Sequence, residues 1–121
     1  MRYSKNFIQR SAVFNTYDHH VPAPYLRKKF SLSEKPDRAE ITICGLGFYR
    51  IWLNGKEITK GMLSPYISNP DDILYYDAYD VAALLEEGDN AIALLLGNGF
   101  LNDPAGDVWN FDKAPFRDAP K

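Results

Sequence analysis

The sequence predicts an all-β fold, an antiparallel β-sandwich with one short helical turn, and three observations carry that expectation. Within positions 39–58, Ile41 and Ile43 alternate with Thr42 and Cys44, and Tyr49, Ile51 and Leu53 alternate with Phe48, Arg50 and Trp52. A period of two marks strands that lay one face on a core. Asn54-Gly55 follows directly; both residue types tolerate the positive φ of a type I′ turn, so residues 56–59 should fold back as a hairpin arm. Along the rest of the chain, Pro- and Gly-rich turn signals separate short apolar runs, which suits stacked sheets better than a helical bundle.

At 121 residues the chain is the size of one domain and can bury a core without disulfide or metal staples. Hydrophobic residues at 45% and charged residues at 25% match globular proteins and exclude a disordered chain. A net charge of −2 argues against a nucleic-acid partner, which requires a concentrated basic surface. Arg27, Lys28 and Lys29 form the sole basic cluster. Strand alternation sends them to opposite faces, as solvated charge on an edge. Cys44 is the only cysteine, which rules out an internal disulfide and a thiolate cluster and leaves it the role of a small buried hydrophobe. Neither a signal-peptide core nor an apolar run of membrane-spanning length occurs, so no membrane partner is expected. That pattern suits a cytoplasmic bacterial protein or a fragment of an exported one.

Taken in order, residues 1–24 read as a polar and aromatic arm lying across the domain, kept extended at its end by Pro22 and Pro24. Residues 25–121 read as the sandwich domain. Its first strand, 25–32, places Leu26, Phe30 and Leu32 on one face, and Lys28 interrupts that face as edge strands do. Pro36-Asp37 makes a turn before the 39–58 region. There Gly45 and Gly47 fall between the two alternating runs, where the chain must bend or bulge. Residues 61–72 carry two prolines and no alternation, which predicts a long surface loop. A short strand is expected over 73–76. Asp80 then opens a brief helical turn over 81–85, which Gly88 stops. The uninterrupted apolar run 90–96 predicts a strand buried on both faces, Gly97-Asn98-Gly99 a flexible turn, and 101–121 loop.

Three landmarks, APYLRKKFSL (23–32), GLGFYRIWLNGKEI (45–58) and YDAYDVAALLEEGDNAIALLLGNGF (76–100), in this order and spacing, resemble the N-terminal β-sandwich domain of bacterial α-L-rhamnosidases. The resemblance implies a galactose-binding-like jelly roll placed ahead of a separate helical catalytic barrel. It also implies an accessory domain of a glycoside hydrolase that recognises rhamnose-containing carbohydrate, in some members together with calcium. Acidic residues of the barrel carry the inverting hydrolysis in such enzymes. The chain itself is therefore expected to be non-catalytic, with the catalytic domain of a parent enzyme as its partner. Lys121 precedes the closing strands that the resemblance leads one to expect, so a fragment truncated at its C-terminal end is anticipated, with an exposed strand edge that could pair two copies into a homodimer. Where this family commonly has Asp-Gly-Trp, the chain has Asn98-Gly99-Phe100.

A sugar site needs an aromatic face for the apolar side of the ring and amides or carboxylates that pair with hydroxyls, and calcium adds oxygen coordination. Two loops supply these residue types. Tyr66, Asn69, Asn98, Phe100 and Trp109 are the candidate sugar-binding residues, and Asp71, Asp72, Asp103 and Asp107 the candidate calcium ligands. Loops at one end of a sandwich converge, so both could serve one site. Each residue also has a plainer role, the aromatics as loop anchors and the rest as turn formers. His19-His20 lacks a second ligand pattern, and no nucleophile or phosphate-loop motif occurs. A purely structural module, packing on the barrel or mediating dimerisation, is the competing reading.

Overall fold

The computed structural model describes residues 6–104 and 110–121. Six strands form the domain: β1 (Tyr25–Leu32), β2 (Glu40–Ile43), β3 (Phe48–Leu53), β4 (Lys56–Glu57), β5 (Asp77–Asp80) and β6 (Gly88–Gly97). They make a four-stranded sheet in the order β1-β6-β3-β4 and a two-stranded sheet of β2 and β5, antiparallel throughout. The fold is an all-β sandwich.

Register explains the core. Leu26 and Ile51 both pair with Leu94, one from each side, and Tyr49 pairs with Leu96. Every second residue of three neighbouring strands therefore meets the second sheet. Tyr49, Ile51, Leu53 and Leu96 pack there with Tyr79, Val81 and Leu85. Each such side chain removed from water stabilises the fold by roughly 1.5–3 kcal/mol. β6 is central in its sheet, but the expectation that it is buried on both faces is corrected: Ala91, Ala93 and Leu95 on its outer face are all half-buried, and full burial is confined to Asn90 and Leu96 on the inner one. β1 is an edge strand, and Arg27, Lys28 and Lys29 on it are exposed.

Asn54 and Gly55 have φ of 49° and 81°, the left-handed pair that a tight hairpin between β3 and β4 requires. Asn54 does more than turn the chain. Its Nδ2 donates to the Leu84 carbonyl and to Asn90 Oδ1, each at 2.8 Å, and its Oδ1 accepts from the Ala91 N–H at 2.8 Å. Buried Asn90 in turn accepts from the Glu86 N–H at 3.0 Å and donates to the Glu86 carbonyl at 2.7 Å. The two amides fasten the hairpin to the segment that feeds β6.

The alternating runs around Gly45 and Gly47 belong to different sheets, with 44–47 as the crossing. Gly47 has φ of +89°, and a Cβ there would strike the Gly97 carbonyl oxygen. Leu46 between the glycines is buried and exchanges two backbone bonds with Lys121: its N–H donates to the Lys121 carbonyl at 2.8 Å, and the Lys121 N–H donates back at 3.1 Å.

Two further expectations are corrected. Residues 73–76 form no strand, and the strand is β5, at Asp77–Asp80, where the helical turn was expected to open. The reason is inward packing. Ile73, Tyr75 and Tyr76 are exposed, whereas Tyr79 pairs with Ile41 and is buried. The helical turn shrinks to a three-residue 3₁₀ turn, Ala82–Leu84, with the Ala82 N–H donating to Asp80 Oδ1 at 3.1 Å. Between the sheets the Tyr49 hydroxyl donates to Asp77 and lies 2.9 Å from the Tyr79 hydroxyl. Burial above all, then the hydrogen bonds to Asp77 and Tyr79, push the Tyr49 phenol far above its ordinary pKa.

Candidate functional site

The loop 61–76 is long but well fastened. The Tyr49 N–H donates to the buried Ser64 carbonyl at 2.8 Å, and Ser64 Oγ donates to the Lys60 carbonyl at 2.6 Å. Further on, Asn69 forms an Asx-type turn. Its Oδ1 accepts from the Asp71 N–H at 3.1 Å, its Nδ2 donates to Asp72 Oδ2 at 2.7 Å, and its carbonyl accepts from the Ile73 N–H at 3.0 Å. Ser68 Oγ donates to the Ile73 carbonyl at 2.7 Å.

The second loop is fastened from below by amides. Asn102 is fully buried in a 3₁₀ turn, Gly99–Asn102, and its Nδ2 donates to Asn98 Oδ1 at 2.9 Å. Asn98 Nδ2 donates to the Val21 carbonyl at 3.1 Å. The Asn15 N–H donates to Asn102 Oδ1 at 3.0 Å, and Asn15 Nδ2 donates to the Asn102 carbonyl at 2.9 Å. A segment expected to be a flexible turn is thus an ordered floor to which the arm is tied. Gly97 closes β6, and Gly99, with φ of +51°, starts the 3₁₀ turn against the Phe48 ring.

Between these loops lies a cleft of about 430 Å³. Phe48, Tyr66, Tyr75, Phe100, Phe111 and Phe116 form aromatic walls, Leu46, Leu74, Leu101 and two prolines fill the gaps, and Ser68 and Asn69 supply polar side chains. Tyr66 meets Tyr75 edge-on with centroids 6.5 Å apart, and Phe111 stands 5.0 Å from Phe100 and 6.2 Å from Phe116. Tyr66 is 83% exposed, so its ring is available to a ligand.

Of the sequence candidates, the structure brings Tyr66, Asn69 and Phe100 to one cleft. Asn98 sits beneath it, its carboxamide held by Val21 and Asn102. Asp107 and Trp109 lie outside the described residues. Asp71, Asp72 and Asp103 are absent from the cleft lining, and no three His, Cys, Asp or Glu side chains among the described residues gather as a metal site. The described carboxylates therefore do not fit a calcium ion at this cleft. Phe48, Tyr75, Phe111 and Phe116 escaped the sequence reading. Phe48 stands out only as the outward residue of a strand, and nothing local marks the others, whose convergence depends on the fold of two distant loops.

A family model described as the α-L-rhamnosidase N-terminal domain matches residues 34–121. The chain belongs to this family. An α-L-rhamnosidase of Formosa agariphila is 41% identical to this rhamnosidase N-terminal domain over 92 residues, covering 70% of the chain and 10% of the relative. The solved α-L-rhamnosidase from Dictyoglumus thermophilum superposes with a TM-score of 0.62 at 41% identity, over 64% of this chain and 9% of that one. The Streptomyces avermitilis α-L-rhamnosidase, solved in complex with L-rhamnose, gives a TM-score of 0.62 at 31% identity, over 65% and 8%. The chain spans about a tenth of the length of these relatives. The family match takes in both loops of the cleft and every strand except β1.

Proposed function

We propose that this α-L-rhamnosidase N-terminal domain is a non-catalytic accessory domain that helps its enzyme recognise rhamnose-containing glycans through the cleft between loop 61–76 and residues 99–101, 111 and 116. The observation that carries the reading is the convergence of Tyr66 and Asn69 of one loop with Phe100 of a distant one on one aromatic-walled cleft. A 6-deoxy sugar such as rhamnose presents a methyl group and a C–H face, which match phenyl and phenol walls, while its hydroxyls need only a few polar partners. Ser68 Oγ, Asn69 and backbone groups at Gly45 and Gly47 are at hand. Glycosidic hydrolysis calls for two facing carboxyl groups, and the described lining of the cleft contains none. The L-rhamnose complex of the Streptomyces avermitilis relative agrees with the ligand class.

An NMR titration of the chain with L-rhamnose, with and without calcium, tests this. Saturable shifts at the rings of Tyr66, Tyr75 and Phe100 are expected, with the indole of Trp52, on the outer face of β3, unmoved. Phe100→Ala should weaken binding by about fivefold to tenfold, the worth of one aromatic contact. A folded sample without shifts at high sugar concentration would remove sugar recognition from this domain.

A further inference from the structure

Phe111 and Phe116 stand on a segment, 110–118, through which none of the six strands runs. Their place in the cleft wall therefore needs another cause, and Arg117 supplies one. Its Nη1 donates to the Asp112 carbonyl at 3.0 Å, its Nη2 donates to the Asn15 carbonyl at 2.6 Å, and its guanidinium lies 4.8 Å from the centroid of the Phe14 ring. A guanidinium is a planar fork whose donors keep fixed directions, so holding two carbonyls at once fixes the segments that carry them relative to each other. The aromatic face beneath the cation adds a third contact. Arg117 Nε is buried, and bonds made by a charged donor away from water are of the stronger kind.

The Asn15 end of this link is itself held. The Asn15 N–H and Nδ2 donate to Asn102, and Asn15 Oδ1 accepts from the Val21 N–H at 2.6 Å. Asn102 ends the turn that presents Phe100 and Leu101 to the cleft. One residue of the arm thus holds both pieces of the cleft wall that follow β6: Phe100 through Asn102, and Phe111 with Phe116 through Arg117. The contact between Phe100 and Phe111, 5.0 Å between centroids, lies where these two pieces meet.

We propose that Arg117 is the positioning residue of the cleft: anchored on the Asn15 carbonyl, it sets Phe111 and Phe116 against Phe100 and thereby makes the ligand site depend on the N-terminal arm. This role rests on the reading of the cleft as a rhamnose site. Arg117 does not line the cleft, so it acts through the rings it places rather than on the sugar. Walls placed in advance spare a ligand the entropy of ordering its own site, and that advantage is what a change at Arg117 removes.

NMR spectra and L-rhamnose titrations of the 121-residue chain, compared with those of Arg117→Gln, Arg117→Lys and Tyr49→Phe, test the proposal. The unaltered chain should show NOEs between the Phe100 and Phe111 rings. Arg117→Gln should lose them and raise the Kd for L-rhamnose by about fivefold or more. Arg117→Lys keeps a cation over Phe14 but cannot span both carbonyls, so it should lose the same ring contact even where Arg117→Gln does not fold. Tyr49→Phe loosens the core away from the cleft and is the control for stability. Because sites without shared partners act independently, its ring contacts should remain and its Kd should change by less than about twofold. Intact Phe100–Phe111 contacts in both Arg117 variants overturn the proposal. So does an equal loss of affinity in Tyr49→Phe, which would make stability the cause. If the unaltered chain binds no rhamnose, the cleft reading fails by itself, and the ring contacts still decide the role of Arg117.

Discussion

At the scale of single residues, the polar side chains inside this domain decide more than their number suggests. The Tyr49 hydroxyl bonds Asp77 and stands 2.9 Å from the Tyr79 hydroxyl, joining the two sheets where they face each other. Tyr49→Phe removes that link and leaves Asp77 and Tyr79 short of a partner, a loss of about 1–3 kcal/mol in urea unfolding. It also carries a pH signature. An unfolded tyrosine titrates near 10.0, whereas folding raises the Tyr49 pKa well above that value. The stabilisation is therefore complete below pH 10 and lost progressively above it. The chain should lose stability faster than Tyr49→Phe as pH rises beyond 10, and parallel curves would show that the phenol is not held protonated by the fold. At the same scale, Asn69 and Asn98 are alike in sequence as turn-forming amides and both carboxamides are bonded within the chain, yet only Asn69 lines the cleft.

At the scale of elements, the crossing between the sheets is the most constrained piece of backbone. Gly47 combines φ of +89° with contact against the Gly97 carbonyl, so Gly47→Ala faces both backbone strain and a collision with the end of β6. A cost of about 3 kcal/mol or more is expected, read as a lower denaturation midpoint at unchanged m. Gly55→Ala meets open space at its Cβ and suffers only from φ of +81°, so it should cost about 1–2 kcal/mol. If the two variants prove equally stable, the close approach at Gly47 is not what fixes the crossing. Elements were legible where apolar residues alternate, as in β1, β2 and β3, and in the apolar run of β6, although that strand is not buried on both faces as expected. Residues 73–76 misled because aromatic and branched side chains favour strands only when a neighbour pairs with them, and β2 pairs with residues 77–80 instead.

At the scale of the whole molecule, the N-terminal arm is tied to the segment 98–102 that brings Phe100 and Leu101 to the cleft. Asn15 donates twice to Asn102, and Arg117 Nη2 donates to the Asn15 carbonyl at 2.6 Å. The Leu96 N–H donates to the Pro24 carbonyl at 3.1 Å, fixing the arm's far end on β6. Shortening the chain to begin at Thr16 deprives the fully buried Asn102 of its two bonds to Asn15 and should cost about 2 kcal/mol of stability. Faster amide exchange at 98–102 should accompany the loss. An unchanged midpoint and unchanged exchange would mean that the arm rests on the domain without supporting it.

The amino-acid sequence alone determined the all-β class, the strands β1, β2, β3 and β6, the Asn54-Gly55 reversal and the family, because each depends on local periodicity, on backbone preference at a turn, or on short runs in a fixed order. It also singled out Tyr66, Asn69 and Phe100 as the kind of residue a sugar site uses. Only the tertiary structure decided that these three share a cleft with Phe48, Tyr75, Phe111 and Phe116, that Asn98 and Asn102 belong to its foundation, and that β2 pairs with β5. Those outcomes depend on contacts between residues tens of positions apart, and a pattern of neighbours along the chain carries no information about which distant segments the packing of a core will bring together.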